Sequence, residues 1–166
     1  MMKKTLLLVG VGSLIGQRFI SLDLSAYEIY YVTRDSSKCV GADCWIKFDL
    51  DSGEAKLSKN NFDVCIYMAD LPKIFTLLNS GLQVERLVAF STSSVLTKVN
   101  SSHQRDADLV NSFEKAQVGL EKWCKEQSTS CVILQPTMIY DVGLDRNVTV
   151  MKNFIQKFHF FPLIGP

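Results

Sequence analysis

Short apolar runs alternate with longer amphipathic stretches along almost the whole chain. Six runs have the length and composition of buried strands: Thr5–Val9, Glu28–Thr33, Trp45–Phe48, Asp63–Met68, Arg86–Ser91 and Cys131–Gln135. The segments among them predict helices at about Gly16–Leu24, Leu71–Ser80, Asp106–Glu126 and Asn147–Phe158. In the third helix Leu109, Phe113, Ala116, Leu120 and Trp123 follow helical spacing and form its apolar stripe. This alternation specifies an α/β fold. No repeat, low-complexity tract or linker interrupts the chain, so residues 1–166 are expected to form one domain.

The first strand runs directly into Gly10-Val11-Gly12-Ser13-Leu14-Ile15-Gly16 and then into a helix. Glycines at such a junction allow a tight turn, a close backbone approach to an anion and tight packing of helix on strand. The N–H groups and positive dipole end of the helix then favour a phosphate. The same glycines also suit a purely architectural turn. A second strand about 20 residues after the first glycine completes a βαβ unit and favours a dinucleotide. That strand ends in Thr33-Arg34-Asp35. An acid there accepts from the ribose hydroxyls of NAD, whereas an arginine pairs with the extra phosphate of NADP. Arg34 comes first, which favours NADP and leaves NAD as the alternative.

Charge and cysteine usage narrow the partners. Eighteen basic and 17 acidic residues leave a net charge of +1 with the lysines scattered, which argues against nucleic acid as a partner. No segment is long and apolar enough for a membrane span. The basic start Met1–Lys4 precedes an apolar run, but glycines break that run and no small-residue cleavage site follows. A cytoplasmic location is therefore expected. Five cysteines, at 39, 44, 65, 124 and 131, are odd in number and lack metal-type spacing, so neither a metal site nor a full disulfide framework is expected. Without secretion, the glycosylation patterns at Asn100-Ser101-Ser102 and Asn147-Val148-Thr149 have no consequence.

The ordered set GVGSLIG, VTRD, FDL, FDVCIYMAD, LVAFSTSSVL and VILQPTMIYDVGLDRNV resembles the short-chain dehydrogenase/reductase superfamily. Within it the chain is most similar to the extended branch, the NAD-dependent epimerase/dehydratases of nucleotide sugars. The likeness covers nearly the whole chain. Gln135-Pro136-Thr137-Met138-Ile139-Tyr140-Asp141 stands where that family has Arg-Pro-Thr, a hydrophobic pair and Tyr-Gly. The resemblance implies a Rossmann-like, doubly wound parallel sheet in three α/β/α layers. It implies a cofactor site of Gly10, Gly12, Ser13, Leu14, Ile15, Gly16 and Arg34, with Asp49 and Leu50 beside the adenine and Met68, Ala69 and Asp70 lining the inner ribose. Met68 and Ala69 read equally well as the end of a buried strand. Ser13 replaces a glycine; its side chain crowds the diphosphate yet can donate to a phosphate oxygen. A nucleotide-sugar substrate and a homodimer built on long helices are further implications.

The resemblance also exposes a departure. The family exchanges a proton through the tyrosine of a Tyr-x-x-x-Lys helix, whose lysine lowers a phenol pKa of about 10, beside a serine or threonine. Thr92 matches the hydroxyl, but the tyrosine falls on Phe113, the lysine on Gln117 and a trailing glutamate on Glu121. Phe113 carries no exchangeable proton and Gln117 no charge. Lys115 is rotated by about 200° on the helix, away from that face. Tyr140 occupies the family's Tyr-Gly position rather than a catalytic one. The family's C-terminal substrate region follows a segment resembled here by Phe161–Pro166, so that region is expected to be shortened or absent. Two readings stay open. One is an NAD(P)-dependent oxidoreductase or isomerase of epimerase/dehydratase type that uses Thr92 with other groups. The other is a noncatalytic module that senses NADP or pairs with a partner subunit.

Overall fold

The computed structural model describes residues 3–35, 44–53, 57–97, 103–137, 139, 140, 145 and 148–160. Six strands, β1 (Lys4–Val9), β2 (Tyr27–Thr33), β3 (Trp45–Lys47), β4 (Asn61–Tyr67), β5 (Gln83–Phe90) and β6 (Ser130–Leu134), form one sheet in the order β3-β2-β1-β4-β5-β6. Every neighbouring pair is parallel. The helices are α1 (Leu14–Phe19), α2 (Ile74–Leu78, entered through a 3-10 turn at Leu71–Lys73), α3 (Ser94–Thr97), α4 (Gln104–Glu126) and α5 (Val148–Phe158). This is the doubly wound, Rossmann-like arrangement. The chain builds outward from β1 to β3, then restarts at β4 on the other side of β1, so the strand order reverses between β1 and β4.

The central strand explains why β1 reads as continuously apolar rather than alternating. Leu6, Leu7, Leu8 and Val9 are all buried, as a parallel strand covered on both faces requires. Leu7 and Val9 join Phe62, Tyr67, Leu71, Ile74, Leu77, Ala116 and Leu120 on the α2 and α4 face. Leu6 and Leu8 pack with Met68 and with Ile15 and Phe19 of α1 on the other. Burial pushes the Cys65 thiol up to about 12, which makes it an inert core residue. Cys44, Cys65, Cys124 and Cys131 are free thiols.

Several elements differ from their expected bounds for local reasons. β5 begins at Gln83 rather than Arg86, because its parallel ladder with β4 already starts at Asn61. α1 stops at Phe19 instead of Leu24; the Ser21 hydroxyl donates to the Arg18 carbonyl at 2.7 Å and draws the last turn out of helical pairing. The helix expected at 71–80 divides into the 3-10 turn and a five-residue α2, ending before Gly81 at φ +91°. In α4 the buried residues are Val110, Ala116, Leu120 and Cys124, while Phe113 and Trp123 are half-buried against the core. Leu109 stays 38% exposed, so the stripe is rotated toward Val110. The short α3 had no sequence signal. Cys39, the 100–102 triplet, Met138, Asp141, Asn147 and the 161–166 segment lie outside the described residues.

One side-chain clasp ties β1 to β4 at the end away from the glycine turn. The Asp63 carboxylate accepts the Thr5 N–H at 2.6 Å and the Thr5 hydroxyl at 2.7 Å, and the Asp63 N–H returns a bond to Thr5 Oγ1 at 2.9 Å. The backbone N–H of Thr5 is the main cause that holds this carboxyl below its ordinary value, followed by the Thr5 hydroxyl. A depressed folded pKa contributes stability above the unfolded value of about 3.9 and loses it as pH falls through the folded value. Asp63→Asn is therefore expected to lower the melting temperature at pH 7 and to flatten its fall in acid. Thermal melts between about pH 2 and pH 7 test this; an unchanged acid limb would contradict it.

Candidate functional site: adjoining clefts above the sheet

The site begins where β1 ends. Gly10 turns with φ +84°, and a Cβ there would stand 2.6 Å from the Ala69 nitrogen and 2.7 Å from the Met68 carbonyl carbon. The exit of β4 thus lies directly against the turn, and the Val9 carbonyl accepts the Met68 N–H at 2.8 Å. At Gly16 a Cβ would meet Val11 Cα at 2.4 Å and the Gly10 carbonyl oxygen at 2.5 Å, so α1 can sit this close only with glycine. Gly12 faces open space, with no atom within 4 Å of such a position. Ser13 caps α1: its Oγ accepts the Gly16 N–H at 3.0 Å, and its N–H reaches the Gly10 carbonyl at 2.9 Å. The serine that replaces a glycine therefore has a structural task here, and its hydroxyl proton remains available to donate.

Above this turn, at the carboxyl ends of β1, β2 and β4, lies a cleft of about 420 Å³. It brings together Gly10, Gly12, Ser13, Arg34, Leu50, Met68, Ala69 and Asp70 from the sequence-derived set. Gly16 is buried behind the turn rather than in the lining. Asp49 also stands outside it; its carboxylate accepts the Asp51 N–H at 3.0 Å and its carbonyl the Gly53 N–H at 3.0 Å, closing the turn after β3. Asp51 faces the cleft as Asp70 does, and sequence reasoning missed it together with Lys73, Thr33 and Phe48. Asp51 accepts from Arg34 Nη1 at 3.3 Å and from Lys73 Nζ. The Lys73 ammonium holds the Asp51 carboxyl below its ordinary value, and Asp51 in turn raises Lys73. No local pattern announces this set, because its members follow three different strands.

A second cleft of about 280 Å³ shares Ser13, Met68 and Ala69 with the first. Leu14, Ile15, Phe90, Ser91, Thr92, Phe113 and Ile139 complete its lining. Thr92 and Phe113 thus stand at one site, yet none of these lining residues is an acid, base, phenol or thiol. Gln117 lies behind the lining, where its Nε2 donates to Ser91 Oγ at 2.6 Å and its Oε1 accepts from Gln135 Nε2 at 2.9 Å. The helix position expected for a lysine is filled by an uncharged bridge joining α4 to the ends of β5 and β6. Lys115 and Glu121 are exposed elsewhere on α4. Tyr140 lines a third cleft with Arg18, Phe19, Ser21 and Leu22, which shares Leu14, Ile15 and Ile139 with the second, and is 66% exposed.

Among the described residues, no group of three or more His, Cys, Asp or Glu side chains can hold a metal ion. No helix among them is long and apolar enough to cross a membrane. No family model and no curated protein matches the chain. The same fold recurs in solved structures. UDP-glucuronic acid 4-epimerase from Bacillus cereus, in complex with NAD, superposes with a TM-score of 0.64 over 92% of this chain and 62% of its own, at 14% identity. Vestitone reductase from alfalfa gives 0.56 over 80% of this chain and 56% of its own, at 16% identity. A short chain dehydrogenase family protein from Francisella tularensis gives 0.59 over 95% and 78%, at 12% identity. This chain therefore spans less than two thirds of the length of the first two structures.

The two buried contacts at the turn make a direct test. Gly16→Ala is expected to cost about 1–3 kcal/mol or more, because its methyl group meets backbone that has no free space to move into. Gly12→Ala, facing open space, is expected to leave stability nearly unchanged. Denaturant midpoints of the two variants check the contrast; equal losses would mean that the packing at Gly16 yields.

Proposed function

We propose that this chain is a nicotinamide-dinucleotide-binding module of the short-chain dehydrogenase/reductase type, related to the NAD-dependent epimerase/dehydratases, and that it takes NADP in preference to NAD. The observation that carries this reading is the pair of adjoining clefts over the glycine turn, placed where the strand order reverses. The open space at Gly12 and the cradle at Gly10, which a Cβ would fill, suit the close passage of a diphosphate. Arg34 suits the additional phosphate on the adenosine ribose, and Met68 and Ala69 offer the wall between the two halves. The second cleft suits a flat nicotinamide ring, with Leu14, Ile15, Phe90 and Phe113 as apolar surface and the Ser91 and Thr92 hydroxyls at its margin. Further support comes from the shared fold of the three solved structures, one of them in complex with NAD.

The bound nicotinamide supplies a hydride acceptor or donor, and an alcohol or carbonyl partner must then lose or gain a proton. Among the described residues that line the second cleft, none is an acid, base or phenol. Phe113 has no exchangeable proton, and both ends of the Gln117 amide are committed to Ser91 and Gln135. This favours a module that holds the dinucleotide over one that turns over a nucleotide sugar by the family's usual device.

Calorimetric titration of the purified chain is expected to give micromolar binding of NADPH and weaker binding of NADH. Arg34→Ala is expected to weaken NADPH about tenfold and NADH little, as for loss of a charge-assisted phosphate contact. Equal losses would remove the phosphate role, and no heat with either dinucleotide would overturn the proposal. Combining Phe113→Tyr with Gln117→Lys is expected to retain binding and to place a phenol that titrates below about 10, followed by its ultraviolet absorbance. A phenol of ordinary pKa would show that this face of α4 cannot be rebuilt for proton exchange.

A further inference from the structure

Three charged side chains from three different strand exits meet on one wall of the first cleft. Arg34 follows β2, Asp51 follows β3, and Lys73 closes the 3-10 turn after β4. Each carboxylate oxygen of Asp51 serves a different cation: Oδ2 accepts from Arg34 Nη1 at 3.3 Å, and Oδ1 from Lys73 Nζ. The side chains are 71%, 50% and 43% exposed for Arg34, Asp51 and Lys73, so water screens both pairs and an incoming anion can reach them. Two cations share the Asp51 carboxylate, and Asp70 on the same cleft also acts on Lys73, so the wall is compensated by the protein's own carboxylates. A phosphate monoester brings more charge than a carboxylate, about −1.5 to −2, and three acceptor oxygens in place of two. It therefore satisfies the same two cations better than Asp51 does.

Resting on the dinucleotide reading above, we propose that Lys73 and Asp51 set the choice between NADP and NAD: Lys73 shares the ribose 2′-phosphate with Arg34, and Asp51 is the internal anion that this phosphate displaces. Without the phosphate, Asp51 keeps the two cations paired and the wall compensated. NAD presents only a hydroxyl at the same place, which competes poorly for two cations, so its binding leaves the three side chains as they stand. Because the exchange occurs among exposed charges, the advantage of NADPH over NADH shrinks as salt is raised.

The experiment is calorimetric titration of the full chain with NADPH and, separately, NADH for wild type, Lys73→Met, Lys73→Arg and Asp51→Asn. Lys73→Met is expected to weaken NADPH about tenfold and to leave NADH within about twofold, whereas Lys73→Arg keeps most of the preference. Asp51→Asn is expected to tighten NADPH several-fold with NADH unchanged, since it removes the competing anion. Equal weakening of both dinucleotides by Lys73→Met, or no change in either, would overturn the proposal. So would a loss of NADH affinity in Asp51→Asn, which would assign that carboxylate to the ribose hydroxyls. A wild-type chain that binds neither dinucleotide defeats the dinucleotide reading and this one with it. Binding of both, at a ratio indifferent to Lys73 and Asp51, defeats this one alone.

Discussion

At Gly10 the chain leaves the central strand with φ +84° and comes within van der Waals reach of the β4 exit, and at Gly16 the first turn of α1 lies against that same bend. Backbone packs on backbone at both points, with no side chain between. The neighbouring layers take their positions from this contact. It lets α1 bury Ile15 and Phe19 over Leu6 and Leu8, and it brings Met68 and Ala69 level with the glycine turn. The two clefts are the space left above a junction too tight to fill itself.

Charge is distributed unevenly along that space. The end formed by β2, β3 and the turn after β4 gathers Arg34, Asp51, Asp70 and Lys73, while the described residues at the end formed by β5, α4 and the segment after β6 are apolar groups, hydroxyls and, behind them, amides. Proton transfer needs a group whose pKa the site can tune, and Gln117 ties its own helix position into a neutral bridge with Ser91 and Gln135.

Strand positions were legible because the runs are short, mostly apolar and set between longer amphipathic segments, and all six became strands within a few residues of their expected bounds. The helices were less so. α1 lost its last turn to a single serine hydroxyl, and the stripe on α4 rotated from Leu109 to Val110, because apolar spacing defines a face only to within a residue or so. At the site, the glycine turn and Arg34 could be read from residue type beside a strand end. Asp49 and Asp51 could not be told apart, since both follow β3 and the sequence does not say which one closes the turn and which one faces the cleft.

The sequence by itself determined the class of fold, the place of the tight turn and the presence of Phe113 and Gln117 on α4 where a Tyr-x-x-x-Lys pair was expected. Each of these depends on residue identity or on a period of two or 3.6 within one segment. Tertiary structure alone decided that Asp51 joins Arg34 to Lys73, across 17 and 22 positions, and that Gln117 joins Ser91 to Gln135, across 26 and 18. Those pairings follow from the order and register of strands that are distant in the chain, and no local pattern encodes either.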